Sequence, residues 1–72
     1  MHFLYQIITS AYVYSLYEED YYPILHIFNL TSEESKDIMF PIQILDILTL
    51  DPEVSPEDYA DVEELLKACR IR

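Results

Sequence analysis

The chain has 72 residues, about half of them hydrophobic, and its fourteen Asp and Glu against four Lys and Arg give a formal charge of −10. That length holds one small domain, residues 1–72, which buries only about 60% of its unfolded surface. A surface this acidic repels nucleic acid and anionic membranes, so it excludes charge-driven binding to either and favours basic protein surfaces.

Seven tyrosines and three phenylalanines set the chain apart from a disordered acidic tail. Cys69 is the single cysteine, so no intrachain disulfide can form. His2, His26 and Cys69 are too far apart to match a zinc pattern. A core of this size without either staple points to a partner, identical or different, as a source of stability. Residues 1–17 carry no Lys, Arg, Asp or Glu. They lack the basic start of a signal peptide. They are also shorter than the roughly 20 apolar residues of a membrane helix. The expected location is cytoplasmic.

The first segment, His2 to Tyr17, carries two conflicting signals. Tyr5, Ile7, Ile8, Thr9, Tyr12, Val13, Tyr14 and Tyr17 are strand-forming types. Phe3, Leu4, Ile7, Ile8, Ala11, Tyr12 and Leu16 would also share one side of a helix. The residues beyond Tyr17 favour the strand. Ala11–Tyr17, the acidic triplet Glu18–Glu19–Asp20, and Tyr22–Leu30 have the layout of a hairpin. Because the chain has no glycine, the common two-residue turns are disfavoured, and a longer turn across Glu18–Tyr21 is expected. Pro23 should stand at a strand start or on an edge. The strand from Tyr22 to Leu30 is apolar on both faces, as in a sandwiched strand or one at an interface.

Thr31 and Glu34 have capping-box spacing, so residues 31–37 form either a helical turn or a loop. Ile38–Ile42 reads as a third strand, confined to an edge by Pro41. Ile42–Leu50 reads as a short helix, ended by Asp51, Pro52, Glu53 and Val54. Ser55–Arg70 is the most strongly marked element. Ser55 is a good N-cap and Pro56 suits the first helical position. Glu57 and Asp58 complement the start of the helix dipole, and Lys67 and Arg70 its end. Tyr59, Val62, Leu65, Leu66 and Cys69 make one apolar stripe, opposite Glu57, Asp61 and Glu64. The expected fold is α+β, a small antiparallel sheet of about three strands covered by the C-terminal helix. The alternative is a small all-α bundle.

No motif for chemistry appears. The absence of glycine removes phosphate-cradling loops and the nucleophile elbow. Cys69 on an apolar stripe reads as a small buried hydrophobe, and His26 as a core or interface histidine. No EF-hand spacing is present among the acids. Asn29-Leu30-Thr31 matches a glycosylation acceptor, a chance match in a chain without a secretory signal. The chain is therefore expected to be non-enzymatic, with no catalytic residues, metal or cofactor.

The acids are the candidate binding residues: Glu18, Glu19 and Asp20 at the hairpin tip, Glu33 and Glu34 in the next loop, and Glu57, Asp58, Asp61 and Glu64 on the last helix. Facing one way, they would imitate the charge rows of a nucleic-acid backbone and fit a basic groove. Facing many ways, they would serve solubility. Tyr14, Tyr17, Tyr21 and Tyr22 are the candidate aromatic contacts, because tyrosine is enriched at interfaces. In size and charge the chain is similar to the small acidic inhibitors of phages and archaeal viruses, including anti-CRISPR proteins and DNA-mimicking restriction inhibitors. That likeness is one of composition, and no motif carries it. It implies an inhibitor of a nucleic-acid-binding protein, acting in the host cytoplasm if the chain is viral. The alternative is an assembly subunit, a homodimer joined through its tyrosine-rich strands.

Overall fold

Strand-forming residue types prevail over helical spacing in the first thirty residues. A computed structural model, describing residues 1–69, shows an α+β fold of four strands followed by two helices. The strands are β1 (His2–Ile8), β2 (Tyr12–Glu19), β3 (Tyr22–Asn29) and β4 (Ser35–Ile38). They form one antiparallel sheet in the order β1-β2-β3-β4. The helices are α1 (Pro41–Leu50) and α2 (Pro56–Cys69).

Three local expectations are corrected. First, residues 2–17 are not one strand but two, and the sheet has four strands instead of three. Thr9 makes the extra turn. Its hydroxyl accepts from the amides of Ala11 and Tyr12, and its own amide donates to the Tyr12 carbonyl at 2.9 Å. A threonine hydroxyl replaces the glycine that such a turn usually recruits. Second, the β2–β3 turn is short. Glu19 pairs with Tyr22, which leaves only Asp20 and Tyr21 between the strands, at φ 53° and 69°. Two positive φ values give the mirror-image turn that follows strand twist, here built without glycine. Third, the edge strand is Ser35–Ile38, upstream of the expected Ile38–Ile42. Asn29 sets its start: its side-chain oxygen accepts from the amides of Thr31 and Ser32, and its own amide donates to the Glu34 carbonyl. Pro41 then opens α1, where its missing N–H has no cost.

Strand alternation sorts the side chains. Ile7, Tyr14, Leu16, Leu25 and Ile27 face the helices and form the core with Ile44 and Leu48 of α1 and Val62 and Leu66 of α2. A bulge between Phe3 and Tyr5 lets Leu4 and Tyr5 both pack against this core. α2 has the expected caps: Ser55 Oγ accepts from the Asp58 amide at 3.1 Å, and Lys67 lies in the last turn. Arg70 lies outside the described residues. α1 has no side-chain cap and no helpful charge at either end, so packing of Ile44 and Leu48 holds it.

Among the described residues no helix packs on the opposite sheet face. Its side chains form rows across the strands. Phe3, Tyr17 and Ile24 make one apolar row; Ile8, Val13 and Phe28 make another. Between them runs a polar row, Gln6, Ser15, His26 and Asp37, one residue from each strand. Among the described residues no helix is long and apolar enough to cross a membrane.

Candidate functional site

The β2–β3 turn gathers charge and aromatic surface in one place. Glu19 and Asp20 are exposed, and Tyr21 and Tyr22 beside them are 66% and 60% exposed. The tight turn leaves these four residues consecutive at the tip of the longest hairpin. Glu18 is set apart from them. It pairs with Pro23 on the helix side, is half-buried, and its charge helps burial push the Cys69 thiol upward in pKa. Cys69 itself is 2% exposed.

The acids do not collect into one patch. β3 runs from the tip at Tyr22 to Asn29, so Glu33 and Glu34 lie at the other end of the sheet. Eight strand residues at about 3.3 Å each separate the two groups by about 26 Å. A third group lies along α2, where Glu57, Asp61 and Glu64 are exposed. Asp58 is half-buried, because it has an internal task. The Tyr5 hydroxyl donates to Asp58 Oδ1 at 2.6 Å and lies 3.1 Å from Asp61 Oδ2, which ties α2 to β1. The bond to Asp58, with desolvation and Asp61, pushes the Tyr5 pKa well above the ordinary tyrosine value. Among the described residues only Asp37, with His26 at 2.7 Å, and Glu64, with Lys67 at 3.9 Å, have a basic partner.

Tyr14 does not serve as an aromatic contact. It is 3% exposed within the core, and its hydroxyl donates to Asp51 Oδ2 at 2.5 Å. Burial first, and then this bond, raise its pKa far above the ordinary value. Its place on β2 opposite Ile7 and Ile27 puts it on the helix side, which residue type alone does not reveal. Tyr17 is half-buried on the open face, edge-on to Phe3 with ring centroids 5.6 Å apart.

Asp51 and Glu53, expected as helix breakers, are structural acceptors. Asp51 joins α1, the Glu53 amide and Tyr14. Glu53 accepts from the amide and hydroxyl of Ser10, at 2.9 and 2.5 Å, which holds its carboxyl below the usual range. These bonds span 37 and 43 residues, so no local pattern could announce them. Beside them, Tyr12, Tyr14, Ile27, Ile47 and Leu50 wall an open cleft of about 380 Å³, with Lys36 on its lining.

The polar row of the open face contains the residue types of a hydrolase triad. His26 Nδ1 bonds Asp37, but Ser15 is 5% exposed and accepts instead from Gln6 Nε2 at 3.2 Å. No hydrogen bond joins Ser15 to His26, so the row contains no nucleophile–base pair. Among the described residues no three His, Cys, Asp or Glu side chains converge to hold a metal ion. No protein-family model, curated protein or solved structure matches the chain.

Proposed function

We propose that this is a non-enzymatic binding protein whose β2–β3 tip enters a basic site on a nucleic-acid-binding protein and blocks it. The observation that carries this reading is the backbone of Asp20 and Tyr21. Both have positive φ, which suits the aspartate of such a turn, whereas the second position usually takes glycine. A tyrosine there is strained by roughly 1–2 kcal/mol. Strain of this kind gathers where function needs a particular side chain. Here it holds an exposed aromatic ring next to two exposed carboxylates, the pairing of anchor and charge that a basic, partly apolar groove would accept.

The acids of α2 have a second role in this reading. Glu57, Asp61 and Glu64 contribute a negative field that steers approach, without touching the final contact. Glu33 and Glu34, at the far end of the sheet, are solvated charges outside the contact.

The test is an affinity pull-down from lysate of the source cell or its host, eluted with a salt gradient. A single nucleic-acid-binding protein eluting at intermediate salt supports the proposal. Glu19→Lys with Asp20→Lys should weaken its retention at least tenfold, equivalent to about 1.4 kcal/mol. Retention unchanged by that double variant would overturn the assignment of the tip.

A further inference from the structure

The open sheet face has two apolar rows that no helix or strand among the described residues covers. Phe3 is 51% exposed and Ile8 67% exposed, while Val13, Tyr17, Ile24 and Phe28 are half-buried. We infer that this face is covered by the same face of a second copy, giving a two-sheet sandwich with a helical layer on each outer side. The face meets the tip at Glu19 and Tyr22, but its pairing is argued from the apolar rows and does not rest on the inhibitor reading.

Three observations select a second copy as the occupant. The first is charge. In a chain of −10, the strand residues of this face include only two acids, Glu19 at one end and Asp37, which is paired with His26. The other acids lie on the helix side, in the turns, or along α2. Two copies can therefore meet here without opposing their charges, and a basic partner finds little on this face to attract it.

The second is the pattern of rows. The polar row lies between the two apolar rows. A two-fold axis along the strands lays each row on its own copy. A two-fold across the strands lays one apolar row on the other and keeps the polar row on itself. In both arrangements apolar meets apolar and polar meets polar, which is the self-complementarity an isologous interface requires, but only the first keeps the two Asp37 carboxylates apart. In the first, β1 lies over β4 and Gln6 meets Asp37, an amide donor opposite a carboxylate acceptor.

The third is area. Strands of 7, 8, 8 and 4 residues, at about 3.3 Å per residue and about 4.8 Å apart, give a face of roughly 430 Å² per copy. Two such faces reach roughly 850 Å², the size of a weak, concentration-dependent interface. Sheets stack face to face at about 10 Å with their strands within about 30° of alignment.

Sedimentation velocity across about a hundredfold range of concentration tests the inference, because a dimer's apparent stability and mass depend on protomer concentration. The expected result is a dimer for the wild-type chain, a monomer with native circular dichroism for Phe3→Lys with Ile8→Lys, and a dimer for Ile42→Lys. Ile42 is the control, 75% exposed on α1 and away from the sheet face. If the double variant does not fold, Ile8→Ser alone is read, and it should weaken the dimer at least tenfold. A wild-type mass of one chain at every concentration overturns the inference, as does a dimer that survives the open-face variants or is lost in Ile42→Lys.

Discussion

Replacing Tyr21 with glycine should make this protein more stable and less able to bind. Tyr21 has φ 69°, a left-handed conformation that costs an L-residue with a β-carbon roughly 1–2 kcal/mol. Glycine removes that cost but gives the unfolded chain more freedom, which returns about 0.4–1 kcal/mol. The ring is 66% exposed, so its own burial offsets little of the gain. The net expectation is a stabilisation of about 0.5–1 kcal/mol, which raises Tm by about 3–6 °C in a domain of this size. Thermal and urea unfolding followed by circular dichroism would measure it. Tyr21→Ala is the comparison that isolates the backbone, because alanine keeps the β-carbon and therefore the strain. If Tyr21→Gly fails to raise Tm, or if Tyr21→Ala raises it as much, backbone strain is not what distinguishes this position. In that case the tip holds no stored strain for a binding role to explain.

Other perturbations probe the scaffold. Leu25, 1% exposed between β2 and β4, should cost about 2–5 kcal/mol when cut to alanine, and the variant should lose its cooperative thermal transition. A domain of this length has only about 4–11 kcal/mol in total at the usual 0.05–0.15 kcal/mol per residue. Ser55→Ala removes the acceptor for the Asp58 amide and should lower the urea midpoint by the equivalent of about 1 kcal/mol, with an unchanged m-value. Alkaline stability should depend on Tyr5 and Tyr14, whose folded pKa values are both raised. Their protonated forms are favoured by the fold, so this contribution is complete below the ordinary tyrosine value of about 10 and is lost as pH rises through the folded values. Tyr5→Phe with Tyr14→Phe should flatten the fall of the urea midpoint above pH ~10. An equally steep fall in the double variant would contradict that assignment.

The helices were readable from the sequence because their signals are local. Ser55, Pro56 and the stripe through Val62 and Leu66 lie within a few turns of one another, and α2 starts where they place it. The sheet was readable in kind but not in detail. The strand character of Tyr12–Tyr17 is a property of residue type, whereas the break at Thr9 depends on one hydroxyl reaching the amides of Ala11 and Tyr12. The two-residue turn is illegible for a physical reason. Glycine-free sequence argues against positive φ, and here Asp20 and Tyr21 both adopt it, the tyrosine against its own preference. At the candidate site, residue type marks the acids and tyrosines of the tip, but the sorting of Tyr14 to the core and Tyr22 to the surface depends on strand register. Register is set by pairing across the hairpin, and a shift of one residue would have put both on one face. The clamp of Tyr5 on Asp58 spans 53 residues and left no trace in local pattern.

A sheet in which every strand pairs with its neighbour in sequence also dictates an order of assembly. Each hairpin closes a turn of a few residues, an event on the microsecond scale, whereas α2 reaches β1 only after the whole intervening chain has been gathered. We expect the β2–β3 hairpin to nucleate folding and the docking of α2 to come after the transition state. Changes at Leu16 or Leu25 should then slow folding, while Tyr5→Phe should chiefly hasten unfolding, a division that chevron plots would resolve. The same order protects the nascent chain unevenly: until α2 docks, Tyr5, Ile7 and Leu16 stand on an uncovered sheet face. The acidic turns that the sheet already holds at both ends are then its main guard against association with its neighbours.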